Sequence, residues 1–232
     1  MNFTVKNTTL RVILDLIYPC YCWGCGKIGE RFCFRCNKYN KALNPPFSRP
    51  LEPDFHKLFV CGLKEGMLTE LISEYKFHSR RYFAPVLAGM IYESVKTLPP
   101  ETLIVPLPTI RKHIRKRGFD HILEISLELS KNSGFKVAPL LSRARETIQV
   151  GQNGKIRRLQ AREAFALDKK TFCNIFGENP SSRDLLSRPI LIIDDVWTTG
   201  ASMKSASFIL RSAGLQNIYG VVIAKNNGYE FT

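Results

Sequence analysis

Residues 190–202 read ILIIDDVWTTGAS, and this stretch decides the fold. Its first four residues are all apolar, which predicts a strand buried on both faces of a sheet. Helical periodicity begins at Ser202 and continues to Ser212, and Gly214 suits the residue that ends the helix. A buried strand, a short loop and a helix in this order are typical of a parallel α/β sheet, in which ligands bind at the carboxyl edge.

The loop between that strand and that helix has the features of a phosphate site. Two adjacent acids, Asp194 and Asp195, end the strand, where sugar hydroxyls or a metal-bound sugar would lie. Gly200 lets the backbone approach a phosphate without a Cβ, and amide groups at the start of a helix attract anions. Further hydroxyl donors are Thr198, Thr199 and Ser202. The alternative is that the acids only cap the helix, but two acids at a buried strand end are costly without a partner.

The rest of the chain alternates apolar runs with helical periodicity. Strands are predicted at 57–63, 103–105, 135–138 and 218–224. Helices are predicted at 8–18, 67–77, 83–95 and 119–131. Residues 143–188 are basic and predict irregular structure with one helix at 155–164. The alternation predicts an α/β fold with a parallel sheet flanked by helices, and a Pro-rich segment at 44–53 predicts two domains, residues 1–45 and 46–232.

Positive charge is concentrated in two blocks of the chain. The 232 residues carry 34 Lys and Arg against 20 Asp and Glu, a net charge of +14. Residues 1–50 hold 8 basic and 2 acidic side chains, and residues 111–170 hold 15 and 6, whereas the remainder is close to neutral. Clustered Lys and Arg attract polyanions such as nucleic acids. The alternative is a solvated basic face with no partner.

The composition excludes several classes of protein. With 44% hydrophobic residues, the chain is neither disordered, collagen-like nor a coiled coil. No apolar run reaches the roughly 18 residues of a membrane-spanning helix, so we expect no membrane insertion. The apolar run from Val12 to Tyr18 is interrupted by Asp15 and lacks a cleavage site, which is unlike a signal peptide. We therefore expect a cytoplasmic protein.

Four cysteines near the N-terminus have the spacing of a zinc site. They form the pattern Cys22-x2-Cys25-x7-Cys33-x2-Cys36, in which each pair can supply two thiolates to one tetrahedral ion. Four thiolates leave no position for water, so the pattern predicts a structural Zn²⁺, which would stabilise a module too small to bury much of a core. Cys20 could compete with Cys22 as a ligand. The alternative to the whole site is a set of buried, unligated cysteines.

The stretch 190–202 resembles the phosphoribosyl pyrophosphate (PRPP) motif of type I phosphoribosyltransferases. The resemblance implies that fold for the main domain, with Asp194 and Asp195 as the candidate catalytic residues that hold the ribose hydroxyls. It implies that the 5′-phosphate is held by Thr198, Thr199, Gly200, Ala201 and Ser202. It also implies Mg²⁺ and displacement of pyrophosphate at the ribose anomeric carbon. Turnover and the acceptor stay open, and the candidates for recognising an acceptor base are Tyr75, Lys76 and Phe77.

Further segments resemble one branch of that superfamily, the ComF (competence protein F) family. Val105-Pro106-Leu107-Pro108 is similar to its pyrophosphate-side loop, and the N-terminal cysteines match its zinc finger. Arg117-Gly118-Phe119-Asp120 resembles its Arg-Gly-Phe-Asn signature, Tyr75-Lys76-Phe77 its Leu-Lys-Tyr stretch, and residues 143–165 its Arg-Thr-Gln and Arg-Asn-Ala-Phe block. The resemblance implies a part in natural transformation, in which incoming single-stranded DNA is handled beside a helicase partner. The alternative is a phosphoribosyltransferase of nucleotide salvage with no DNA role.

Basic residues near these segments are the candidates for contact with pyrophosphate or nucleic acid. They are Lys76, Arg111, Arg115, Lys116, Arg117, Arg143, Arg145 and Arg157. Aromatic residues are sparse in the two basic clusters, so base stacking is not indicated there. His113 and His121 are interpreted as surface histidines, because neither has a clear partner in the sequence.

Overall fold

The computed structural model describes residues 19–43, 46–51, 53–143 and 165–228. The chain divides into two compact units, residues 1–43 and 44–232. The helices predicted at 8–18 and 155–164 lie outside the described residues, as do Arg145 and Arg157. Among the helices that are described, none is long and apolar enough to cross a membrane.

The first unit is built around the cysteine pairs. Its described part ends in a helix, α1 (Phe34–Leu43). A tight turn follows Cys22 and is closed by two backbone hydrogen bonds of that residue, each 2.8 Å long. Cys33 comes directly before α1, and Cys36 lies in its first turn. The turn and the helix together therefore carry both cysteine pairs.

The second unit contains a six-stranded sheet and a separate two-stranded sheet. Its strands are β1 (Phe47–Leu51), β2 (Phe55–Val60), β3 (Leu103–Pro106), β4 (Lys136–Val137), β5 (Leu141–Arg143), β6 (Phe165–Leu167), β7 (Ile190–Trp197) and β8 (Ile218–Lys225). The large sheet has the order β1-β2-β8-β7-β3-β4, and all neighbours in it are parallel except β1 and β2. β5 and β6 form the antiparallel small sheet. The predicted α/β fold with a mostly parallel sheet is therefore confirmed.

Helices flank the large sheet. They are α2 (Gly66–Phe77), α3 (Ala84–Val95), α4 (Arg111–Arg117), α5 (His121–Ser133), α6 (Lys169–Phe176), α7 (Ser182–Ser187) and α8 (Ala201–Ser212). Met203 and Leu210 of α8 share a buried cluster with Ile190 and Ile192 of β7. Helices α3 and α5 contact each other. In addition, α3 contacts β8 and α5 contacts β3. Side chains alternate between the faces of a strand, and residues 190–193 are all buried, so β7 is covered on both faces.

Three segments differ from the prediction made from the sequence. The Pro-rich segment 44–53 contains β1, an edge strand, where Pro50 is tolerated because an edge leaves some N–H positions unpaired. The segment 143–188 was predicted to be irregular apart from one helix, but its described part contains β6, α6 and α7. The basic run 111–117, for which neither a helix nor a strand was predicted, forms α4. These elements are short, and short elements give only weak periodicity.

Candidate functional site

The loops that follow β3 and β7 lie side by side. The two strands are parallel neighbours with Pro106 opposite Ile193, and the N–H of Leu107 donates to the carbonyl of Ile193 at 3.0 Å. Nε of Arg143 donates to the carbonyl of Pro108 at 2.9 Å. Because the carboxyl ends of parallel strands share one edge of a sheet, the structure brings the segment 106–108 and Arg143 to the edge where the acids of β7 lie.

The loop after β7 turns tightly over a buried tryptophan. Trp197 is 1% exposed, and Gly200 has a φ of +75°. A Cβ at Gly200 would lie 2.1 Å from a ring carbon of Trp197, so a larger residue there would displace the ring. The loop residues that face solvent are Thr198, Thr199, Ala201 and Ser202. The loop therefore presents hydroxyls and the start of α8 to solvent, and its binding of a phosphate stays a prediction.

Asp194 and Asp195 differ in their surroundings. Asp194 is half-buried, and its Oδ1 accepts the backbone N–H of Asp195 at 2.8 Å. Asp195 is buried, and its Oδ2 lies 2.8 Å from Nε2 of His121. The same oxygen forms an ion pair with the ammonium of Lys76. Side chains from α2 and α5 therefore hold Asp195, while the contact to Asp194 comes from the backbone.

These surroundings move the two pKa values in opposite directions. Burial and then the negative charge of Asp195 raise the pKa of Asp194 to about 7. Burial alone would raise the pKa of Asp195 as well, but the hydrogen bond from His121 and the charge of Lys76 outweigh it and lower that pKa below its ordinary value. Near neutral pH the site therefore holds one firmly ionised carboxylate beside one that titrates.

The interpretation of His121 as a surface residue is wrong. His121 is 6% exposed and is the first residue of α5, for which Asp120 is the N-cap. The helical periodicity of the sequence could have indicated that His121 is buried, because the buried Ile125 and Leu129 lie on the same face of the helix. The partner, Asp195, is 74 residues away along the chain, so no local pattern could reveal the contact. His113 is exposed, as expected.

The three residues of the stretch Tyr75-Lys76-Phe77 have different surroundings. Tyr75 is 1% exposed, and its hydroxyl lies 2.8 Å from the carbonyl oxygen of His121 and 3.0 Å from Oε2 of Glu124. Lys76 is paired with Asp195, whereas Phe77 is exposed. The burial of Tyr75 excludes it as a residue that recognises an acceptor base.

The basic residues of α4 divide into two groups. Arg111, Lys112, Arg115 and Lys116 are exposed. Arg117 is half-buried, with Nη1 at 2.9 Å from Nδ1 of His121 and its guanidinium 5.6 Å from the centre of the exposed Phe77 ring. Four cations of α4 are therefore available to an anion in solution, and the fifth contacts the interior of the candidate site.

Four cysteines of the first unit are arranged around one point. The Sγ atoms of Cys22, Cys25, Cys33 and Cys36 all lie within 4.8 Å of one another, and those of Cys25 and Cys33 are 3.7 Å apart. A tetrahedral zinc ion with Zn–S bonds of about 2.3 Å has S–S edges of about 3.8 Å. The four cysteines can therefore hold a metal ion such as zinc. Cys20, which is also among the described residues, lies outside this cluster.

The thiols of this cluster do not ionise equally easily. Burial would raise the pKa of Cys22, but backbone N–H groups outweigh it and lower that pKa to about 6. One of them, the N–H of Cys33, lies 3.3 Å from the Cys22 Sγ. Burial and the neighbouring thiols raise the pKa of Cys36 to about 12. Four thiolates in one place need a cation to balance them, and a bound zinc ion would supply that charge.

The fold and these two groups of residues define an α/β protein with a mostly parallel sheet and a small cysteine-rich unit. No family model matches the chain. Competence protein F of Haemophilus influenzae is 25% identical over 207 residues, which cover 85% of this chain and 81% of that protein. The chain is therefore a homologue of Competence protein F, which confirms the resemblance to the ComF family found in the sequence.

A solved structure, that of the allosteric regulatory enzyme of purine biosynthesis, aligns with a TM-score of 0.43 and 12% identity. The alignment covers 65% of this chain but only 29% of that one. A similarity this low supports no conclusion about function.

Proposed function

We propose that this chain is a competence-type protein that acts in the cytoplasm on incoming single-stranded DNA during natural transformation, beside a helicase partner. The second unit binds PRPP or a related sugar phosphate with Mg²⁺, and the first unit holds a structural Zn²⁺. The observation that carries the proposal is the meeting of the acids of β7, the loop 198–202 and the loop 106–108 at one sheet edge, in a homologue of Competence protein F.

The proposed ligand contacts follow from the chemistry of the groups. Ribose hydroxyls donate hydrogen bonds to the carboxylates of Asp194 and Asp195. The 5′-phosphate accepts hydrogen bonds from the loop 198–202, where the start of α8 adds favourable backbone amides. The loop 106–108, with Arg143 bound to its last carbonyl, faces the pyrophosphate. Mg²⁺ supplies charge that neutralises the pyrophosphate when it is bound.

The exposed cations of α4 support the DNA part of the proposal. Arg111, Arg115 and Lys116 lie on the helix that follows the loop after β3, so they are close to the edge where the sugar phosphate would bind. Lys and Arg side chains bind the DNA backbone by releasing counterions, with a salt slope of about −0.7 per phosphate contacted on a single strand. We therefore expect binding with little sequence preference and a strong dependence on salt.

A second candidate function is a phosphoribosyltransferase of nucleotide salvage with no DNA role. The observation that favours it is the presence of both acids together with an exposed hydroxyl loop, a combination that contact with a DNA backbone does not require. In that case the cations of α4 contact pyrophosphate only. Affinity for single-stranded DNA then does not depend on them.

Fluorescence anisotropy with a labelled oligothymidylate over a salt series separates the two candidates. We expect the variant Arg115→Ala/Lys116→Ala to bind the oligonucleotide more weakly, with a salt slope reduced by about 1.4 units if each side chain contacts one phosphate. Arg117 is left unchanged, because it contacts His121. The matched control is Lys131→Ala/Lys136→Ala, which removes two exposed lysines where α5 ends and β4 begins, at the amino edge of the sheet.

The outcomes of this experiment are distinct. A loss of affinity and slope in the α4 variant, with the control close to the unaltered protein, supports the DNA role at this edge. Equal losses in both variants indicate unspecific attraction to a basic protein and contradict a dedicated DNA surface. PRPP binding without DNA affinity favours the salvage candidate.

A further inference from the structure

A continuous line of polar side chains runs from α4 to the end of β7. Nη1 of Arg117 lies 2.9 Å from Nδ1 of His121, and Nε2 of His121 lies 2.8 Å from Oδ2 of Asp195. Lys76 pairs with that same carboxylate oxygen from α2. His121 is buried, so neither of its ring nitrogens exchanges these partners freely with water. The line therefore joins a basic helix to one of the two acids of the candidate site.

The partners of His121 determine where its proton lies. An arginine side chain only donates hydrogen bonds, so Nδ1 of His121 accepts from Arg117, and the ring carries its proton on Nε2. Thr109 Oγ1 also lies 3.3 Å from Nδ1, but it donates its proton to Oδ1 of Asp120 at 2.9 Å. The Nε2–H of His121 therefore donates to Asp195.

We propose that His121 is a positioning residue of the candidate sugar-phosphate site, which orients the Asp195 carboxylate, and that Arg117 keeps Nδ1 of its ring without a proton. The inference rests on the proposed function of that site. With Oδ2 held by His121 and Lys76, the carboxylate cannot rotate, and its second oxygen keeps a fixed direction. A carboxylate that is already oriented loses less freedom when ribose hydroxyls bind to it.

The arrangement also explains why a histidine occupies this position. Lys76 neutralises the charge of Asp195, but an ammonium is a rotating point charge and sets no direction. A planar imidazole that is fixed on both sides donates along one line only. The lysine therefore supplies charge and the histidine supplies direction, and the two effects are separable by substitution.

Substitutions at residue 121 test the direction of the hydrogen bond. His121→Gln keeps an N–H donor near the position of Nε2. His121→Leu introduces an apolar side chain of similar size and removes the donor. The matched control is Ile125→Val, which removes one buried methylene from the same face of α5 without touching Asp195. Isothermal titration calorimetry with PRPP in the presence of Mg²⁺ measures the affinity of each variant for PRPP.

We expect His121→Leu to bind PRPP at least about tenfold more weakly, the order expected for losing a hydrogen bond to a charged group. His121→Gln should remain within about threefold of the unaltered protein, and Ile125→Val should be unchanged. Equal affinities of His121→Leu and the unaltered protein would overturn the proposal. So would a His121→Gln variant as weak as His121→Leu, because the donor would then not be the cause.

If the unaltered protein does not bind PRPP, that result refutes the proposed function but not the role of His121. Nuclear magnetic resonance of the ligand-free protein then still tests the role of His121. The ¹⁵N shifts of the His121 ring should show one neutral tautomer with the proton on Nε2. Arg117→Met, which keeps the length of the side chain but removes the donor, should let Nδ1 take up a proton, so that both ring nitrogens are protonated. A proton on Nδ1 in the unaltered protein, or an unchanged ring in Arg117→Met, would overturn the assignment.

Discussion

The cysteine cluster of the first unit and the acidic pair of the second both bring together groups that carry negative charge when ionised, and the surroundings of the two sets differ. Among the four cysteines, nearby groups lower the pKa of Cys22 but raise that of Cys36. At the end of β7 the chain itself provides Lys76 and His121 for Asp195. We therefore expect the fold of the first unit to depend on an external cation, and the fold of the second unit to be independent of one.

The largest expected effect is therefore that of removing the metal. Cys33→Ser, or a strong chelator, should unfold residues 19–43 completely while the α/β unit keeps its melting transition, because a unit too small to bury much of a core loses the metal bonds that stabilise it. Proton–nitrogen correlation spectra report on each unit separately. Cys173→Ser, at an exposed position of α6, is the control and should change neither unit.

Zinc content provides the second half of this test. Freshly purified protein should contain one zinc ion per chain. Because such sites bind zinc tightly, a content of less than about 0.2 zinc per chain with the spectra of residues 19–43 still dispersed would show that the first unit folds without the metal.

The next effect in size comes from removing the cation that the chain supplies to Asp195. Lys76→Met keeps the aliphatic stem and should lower the free energy of unfolding of the α/β unit by about 1–3 kcal/mol, because it leaves a buried carboxylate with one partner fewer. Urea denaturation measures the loss. Lys131→Met removes a lysine from an exposed pair with Glu128 and should cost less than about 1 kcal/mol.

A double-mutant cycle sharpens this prediction. In an Asp195→Asn background the effect of Lys76→Met should largely disappear, since the two side chains are then no longer a charged pair. An undiminished loss in that background would show that Lys76 stabilises α2 by its packing rather than by its charge.

A smaller effect concerns pH and the second acid. The pKa of Asp194 is raised to about 7, so the folded state binds its proton more tightly than the unfolded chain, and this residue costs stability as pH rises from about 4 to about 7. Asp194→Asn removes that cost. Its stability relative to the unaltered protein should therefore increase across this range and stay level above it.

Asp195 contributes a pH dependence of the opposite sign. Its pKa is lowered, so the stability that it adds is present above the ordinary pKa of an aspartate and is lost as pH falls through the folded value. Melting temperatures of the unaltered protein and of Asp194→Asn at several pH values separate the two residues. The melting temperature of Asp194→Asn minus that of the unaltered protein should rise from pH 4 to pH 7. A fall in this difference over the same range would contradict the assignment.

The parts of the molecule that could be predicted from sequence are those determined by local patterns. The four cysteines lie in one short segment, and their spacing alone indicates a shared metal ion. The run Ile190 to Ile193 predicted the buried strand, and Gly200 marked the turn that follows it. Strand β8 was predicted from its apolar run, because a central parallel strand is buried on both faces.

The parts that could not be predicted depend on contacts between distant segments. The partners of Asp195 come from α2 and α5, so a buried His121 was interpreted as a surface residue. Helix α4 contains a single apolar residue, Ile114, and so has no apolar stripe, and Arg117 connects it to His121. Strand β1 lies in a Pro-rich segment and exists because β2 offers it an edge to pair with.

The central claim is that the acids of β7 and the loop after them bind a sugar phosphate, and the shift in melting temperature caused by PRPP with Mg²⁺ tests it most directly. A ligand at about 100 times its Kd stabilises the folded state by about 2.7 kcal/mol, which corresponds to about 5–10 °C for a unit of this size. We expect such a shift for the unaltered protein and for Glu101→Gln, an exposed acid that precedes β3. For Asp194→Asn/Asp195→Asn, compared with its own ligand-free melting temperature, we expect none. An undiminished shift in that double variant would rule out binding by the acids of β7, because the ligand would then bind elsewhere on the protein.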